Sequence, residues 1–249
     1  MTALYAKIFA ERNSGASWLA RLVRRRFRVT VMRGEPELDR QALKEVLQEV
    51  RSQERAELHN RLLDAEHDRI LYSDFGWTAT APSIDVIRSA AHARETLFVC
   101  VAAHPVVCLE GLFRRPKVPG LSEPAGGFAA FLDRPFPVFR RDGFGPDARF
   151  DPMQLWSAKM RALLDLLETD VRGVLLRAEE IADDPERTVT ALSPHLLAGD
   201  QDGAPPTTKD LPSGDAVERL AAALPDPLRR KLRNEVDPGL MRALGYAPL

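Results

Sequence analysis

The 249-residue chain lacks most of what would mark it for the extracellular space, a bilayer or a polyanion. It has only two cysteines, Cys100 and Cys108. Neither a disulfide framework nor a metal site is expected from them, and both thiols are read as buried and reduced. No apolar run is long enough to cross a bilayer, so no transmembrane segment is expected. The first residues lack the charged, apolar and small-residue regions of a secretory signal, which makes the cytoplasm the expected location. Lys plus Arg number 35 against 36 for Asp plus Glu, which leaves no bulk positive charge for a nucleic acid. The Walker pattern G-x-x-x-x-G-K-[ST] is missing, and no clear metal-binding carboxylate follows the first turn, which argues against a P-loop kinase. No internal repeat is present. What the chain does have is a 45% hydrophobic content, enough for one α/β domain with a full core.

The stretch ALYAKIFAERNSGASWLARLV, residues 3–23, organises the rest. Ala3 to Ala10 is an apolar run that reads as a buried strand. Glu11-Arg12-Asn13-Ser14-Gly15 breaks it. From Ser17 onward Trp18, Leu19, Leu22 and Val23 recur at helical spacing. A strand, a short Gly/Ser turn and a helix aim several backbone N–H groups and the positive end of the helix dipole at one point, which attracts an anion. Arg12 would add charge and Ser14 and Ser17 hydroxyls, while Gly15 would admit the anion close to the backbone. The plainer reading is an ordinary β–α turn with Ser17 as the N-cap.

Further along, Arg24, Arg25 and Arg26 end the first helix as a solvated basic turn, and Phe27 to Met32 reads as a short strand. Residues 38–69 read as one or two amphipathic helices, with His59 and His67 on their solvent side. Residues 70–82, ILYSDFGWTATAP, look like a strand leaving the core through Gly76, and Ser83 would cap a short helix. LFVCVAA, residues 97–103, reads as a central parallel strand, and Pro105 starts the helix after it. Residues 114–151 are a long excursion rich in Arg, Pro, Gly and Phe, with a short helix near 127–133. Loops of that length are usually functional. The aromatic tract 128–149 would be either a packed loop or a lid over an acceptor. A strong helix starts at Asp151-Pro152, Val171 to Leu176 reads as a third strand, and Asp184-Pro185 as a helix start. Residues 198–212 read as a mobile loop and 213–249 as short C-terminal helices. Three strands each followed by a helix imply a single α/β domain with a central parallel sheet flanked by helices. Ligands bind such sheets at the carboxyl ends of the strands, which gathers residues 11–17, 76–82 and 103–111 around one place.

In this order the segments resemble the bacterial branch of the sulfotransferase family, and the resemblance covers nearly the whole chain. Glu11 to Leu19 is similar to the family's 5′-phosphosulfate loop. FVCVAAHPVVCLEGLFRRP, residues 98–116, resembles the 3′-phosphate strand–helix. Leu155-Trp156 with Lys159 resembles the helix containing Leu-Trp-x-x-Lys. LLRAEEIADDP, residues 175–185, and DPGLMRALGY, residues 237–246, resemble the family's later segments. The resemblance implies a P-loop-like fold and, without a metal, transfer of a sulfuryl group from 3′-phosphoadenosine 5′-phosphosulfate (PAPS) to a hydroxyl or amine acceptor. It implies that Arg12, Asn13, Ser14, Gly15, Ala16, Ser17 and Trp18 form the nucleotide loop.

The chain departs from the family at functional positions. Asn13 stands where a Lys or Arg is usual, and Ala16 where the first Thr is. Aligning Pro105 on the family's proline puts Ala103 and Gly111 where an Arg and a Ser hold the 3′-phosphate, leaving Arg114 and Arg115 one turn beyond as substitutes. After Gly76-Trp77 the usual Lys-His is Thr78-Ala79, and alanine cannot take the acceptor's proton. Two readings follow. In one, an active enzyme draws its base from elsewhere, with His104 the nearest and Glu110 another; a His beside Pro is also a common structural arrangement. In the other, the fold persists as a non-catalytic module for an adenine nucleotide or a protein partner. The acceptor would be set by residues 27–70 and 114–151, and nothing there names it.

Overall fold

The two continuous apolar runs become the middle of one sheet. In the computed structural model, which describes residues 2–116, 118–119, 126–145, 147–199, 206–208 and 211–249, strand β1 is Tyr5–Ala10, β2 Thr30–Val31, β3 Thr96–Ala102 and β4 Gly173–Arg177. All pair in parallel, in the order β2-β1-β3-β4. β1 and β3 run side by side from Tyr5 opposite Thr96 to Ala10 opposite Val101. Every residue of β3 is buried. Each large apolar side chain of this core, such as Phe98 or Leu97, contributes about 1.5–3 kcal/mol. From β1 the chain crosses to β2 on one side, and from β3 it proceeds to β4 on the other. The crevice between the ends of β1 and β3 is therefore a switch point of the sheet, the place where such folds bind ligands.

Helices cover both faces. Helix α1 (Ala16–Arg26) buries Trp18, Leu19, Leu22 and Val23, the apolar face visible in its sequence. Next come α2 (Arg40–Glu49), α3 (Ser52–Asp74) and α4 (Ile84–Ser89). Helix α5 (Pro105–Arg114) follows β3, with Pro105 in its first turn. Helix α6 (Gly127–Leu132) lies in the long excursion, and α7 (Pro152–Leu167) starts at a capping box of Asp151 and Gln154. The chain closes with α8 (Ala178–Asp183), α9 (Pro185–Leu192), α10 (Gly214–Ala223), α11 (Asp226–Glu235) and α12 (Pro238–Ala243). Both cysteines are free and buried, and burial pushes the Cys100 thiol up to about 12.

Several expectations change. Residues 70–82 are not a strand: α3 runs on to Asp74 because Leu63, His67 and Ile70 continue its inward face, while Tyr72 points outward at 69% exposure. Phe75 and Gly76 then adopt φ of 60° and 79°, and the Gly76 N–H donates to Ile70 O at 3.3 Å to close the helix. Of Phe27 to Met32, only Thr30 and Val31 join the sheet. His67 is buried rather than solvated. The aromatic tract is a packed loop: Phe113, Phe128, Phe131 and Phe136 pack ring against ring, mostly edge-on or tilted, with centroids between 5.5 and 6.1 Å apart. Much of the tract expected to be a mobile loop, residues 200–205 and 209–210, lies outside the described residues. So do 117, 120–125 and 146 of the excursion.

Candidate functional site

At the carboxyl end of β1 opens a cleft of about 1150 Å³. Its floor is the turn after β1 and the segment Trp77–Ala79. One wall is α5 from Val107 onward, with Arg115 just after it. The other is α3, at His59 and Leu63. Leu211, Pro212 and α10 close the end. The three segments expected to converge, 11–17, 76–82 and 103–111, do so here.

The turn takes its shape from two residues of positive φ, Asn13 at 65° and Gly15 at 85°. Gly15, not Ser17, is the N-cap of α1. Glycine suits that place, because a side chain there would be strained at φ of 85° and its Cβ would stand 2.6 Å from Leu211 Cδ2. The Ser14 hydroxyl is turned inward and donates to Glu11 O. The Ser17 hydroxyl donates to Glu35 Oε1 at 2.7 Å. Trp18 packs into the core and donates its Nε1–H to Pro206 O at 3.0 Å. The backbone N–H groups of Gly15, Ala16, Ser17 and Trp18 donate to nothing among the described residues. Four unpaired donors at a helix N-terminus in a cleft form an anion-binding arrangement.

Arg12 does not point free into the cleft. Its guanidinium contacts Asp142 Oδ1 at 2.7 Å and Glu11 Oε1 at 3.4 Å. Lys159 completes the set, with Nζ 2.8 Å from Glu11 Oε2 and 3.0 Å from Asp142 Oδ1. These two cations and two anions are almost wholly buried. Burial alone would raise the Asp142 carboxyl, but Lys159 and Arg12 outweigh it and hold it well below the usual carboxylate range. The quartet ties the turn to α7 and to the 3-10 turn Arg140–Asp142. Lys159 Nζ also donates to Ala79 O at 2.7 Å, and the Ala10 N–H to Thr78 O at 2.8 Å. Residues 78–79 are thus pinned to the cleft floor, and neither can act as a base.

On the α5 wall Asn13 Nδ2 donates to Gly111 O at 3.1 Å and to Arg115 O at 3.2 Å. A Cβ on Gly111 would stand 3.3 Å from Asn13 Cβ. Asn13 therefore takes the space over Gly111 and joins the turn to α5. Arg114 pairs with Glu110, and Arg115 is exposed in the cleft with no side-chain partner among the described residues. His104 does not line the cleft. Its Nδ1 accepts from the Val106 N–H at 3.3 Å as the cap of α5, its ring meets Tyr246 edge-on at 5.3 Å, and burial pushes it down to about 4. That arrangement is the structural one.

Arg21 and His59 are among the lining residues whose place escaped the sequence reading. Arg21, one helical turn after Ser17, faces the cleft, and the i, i+4 spacing was the available signal. His59, read as solvated, is half-buried in the α3 wall, one turn from Leu63. Burial, then the charge of Arg141, lower its pKa.

No family model matches the chain, and no curated protein matches it. Among solved structures, the chain is similar to a sulfotransferase domain from the curacin biosynthetic pathway, at 13% identity and a TM-score of 0.47, over 100% of this chain and 99% of that one. It is also similar to a sulfotransferase from Alicyclobacillus acidocaldarius, at 14% identity and a TM-score of 0.43, over 99% of this chain and 97% of that one.

Proposed function

We propose that the chain binds PAPS in this cleft and transfers its sulfuryl group to a hydroxyl or amine acceptor. The observation that carries the reading is the set of four unpaired N–H groups, Gly15 to Trp18, at the floor of a cleft that also holds Arg21 and Arg115. The loop would hold the 5′-phosphosulfate, and Arg115, with Arg114, the 3′-phosphate that Ala103 and Gly111 cannot. Oriented backbone donors of this kind stabilise the charge that develops on the leaving phosphate. The size of the cleft suits a nucleotide together with an acceptor.

A second reading has its own observation. Asn13 puts no positive charge on the loop and spends its amide on the carbonyls of Gly111 and Arg115, and Thr78 and Ala79 place no base on the floor. A non-catalytic module for an adenine nucleotide or a protein partner would be built this way. Incubation of the protein with PAPS and a panel of phenols, sugars and amines separates the two. Release of adenosine 3′,5′-bisphosphate together with a sulfated product is expected. Tight binding of PAPS with no release above the uncatalysed rate would establish the second reading instead.

A further inference from the structure

We infer that His59 is the general base of the transfer, supplied from α3 in place of the side chain that Ala79 lacks. The inference rests on the reading of the cleft as a sulfuryl-transfer site and adds a residue to it. The first support is that the other acceptor groups of the cleft are already paired. Its titratable side chains with acceptor capacity are Glu11, Glu35, Glu110 and His59. Glu11 is held by Lys159 at 2.8 Å and by Arg12. Glu35 accepts from Ser17, and Glu110 is paired with Arg114. His59 alone has no hydrogen-bond or ion-pair partner among the described residues, and it belongs to the cleft wall.

The second support is placement. His59, Leu63 and His67 follow one another at i, i+4 and i+8 along α3, so they share one face. His67 meets Trp77 edge-on at 5.9 Å, which sets this face against the floor segment that lacks a base. His59 stands two turns farther along, about 12 Å by helical rise from His67, so it faces the cleft from the wall; the charge of Arg141 acts on it, and the next residue, Asp142, pairs with Arg12 of the loop at 2.7 Å. Arg141 is itself fixed, donating to Asp64 Oδ1 at 2.7 Å and Asn60 O at 3.1 Å. Burial and Arg141 both favour the neutral imidazole, the form that accepts a proton.

The step balances without another reactant. The acceptor oxygen or nitrogen attacks the sulfur of PAPS. The bond from sulfur to the 5′-phosphate oxygen breaks, and its electron pair leaves on adenosine 3′,5′-bisphosphate at the Gly15–Trp18 loop. The acceptor's proton passes to His59, which returns it to water through the open cleft.

The test compares the wild type with His59→Gln and His59→Ala. Bisphosphate release from PAPS is followed against pH with a phenol acceptor, and bisphosphate affinity is measured by calorimetry. The wild-type rate should rise with pH through a pKa below the ordinary imidazole value of about 6.5 and be flat by neutrality. H59Q should lose about 100-fold or more in kcat and lose the rising limb, with bisphosphate affinity unchanged within about twofold. Added imidazole should restore part of the H59A rate. A wild type that turns over while H59Q keeps its rate and pH profile would overturn the role of His59 alone. A wild type that binds bisphosphate but releases none from PAPS would overturn both this role and the transfer reading.

Discussion

Lys159 is buried and faces two carboxylates, so the charge quartet under the loop stands or falls with it. Replacing Lys159 by Met leaves Glu11 and Asp142 with one guanidinium between them in a buried place. Removing one partner of a buried ionic group costs about 3–5 kcal/mol, and urea unfolding of K159M should show a loss of that order. A second buried amine gives a pH signature. Lys7, in the middle of β1, donates to Arg33 O and Gly76 O, and burial pushes it down to about 7. The same lysine titrates near 10.4 in an unfolded chain. Between those values the unfolded state binds a proton that the folded state does not, so stability rises with pH across the window. From pH 7 to 8, below the ordinary thiol value of about 8.5, the rise should be about 1 kcal/mol. Urea titrations at the two pH values measure it, and in Lys7→Met that rise should be missing.

The element that matters most is the turn between β1 and α1. Gly15→Ala would put a side chain at φ of 85° and 2.6 Å from Leu211. The expected cost is about 1–3 kcal/mol of stability, read by thermal unfolding, together with loss of nucleotide binding. This turn was legible in the sequence because its signals are local: an apolar run, a glycine, then 3.6-residue spacing. The same holds for β3 with Pro105 behind it, and for α7 behind Asp151. Other features depended on distance. Residues 70–74 read as a strand alone but belong to α3, whose inward face they extend. Arg12 resembled a loop cation, yet its partner Asp142 lies 130 residues away. His104 stood at the right motif and proved to be the cap of α5 under Tyr246, a contact made by the last helix region. His59 looked solvated in a polar helix because its neighbours across the cleft come from other elements.

At the scale of the whole molecule, the parallel sheet brings the unpaired donors of α1 and the arginines at the end of α5 to one cleft. Arg114 is already paired with Glu110, whereas Arg115 is free of side-chain partners among the described residues. Arg115→Ala should weaken adenosine 3′,5′-bisphosphate binding by about tenfold or more, the worth of one charge-assisted contact to phosphate, and should steepen neither the AMP affinity nor its salt dependence. Arg114→Ala should cost less, since part of its charge is committed to Glu110. Calorimetric competition at two salt concentrations reads both.

The central claim is that this cleft recognises a 3′-phosphorylated adenine nucleotide despite Ala103 and Gly111. Titration calorimetry of the intact protein with adenosine 3′,5′-bisphosphate, with AMP and ATP as comparators, tests it most directly. Micromolar binding of the bisphosphate is predicted, with AMP weaker by about tenfold or more, which corresponds to about 1.4 kcal/mol or more from the 3′-phosphate. Absence of bisphosphate binding, or equal affinity for AMP, would contradict the account.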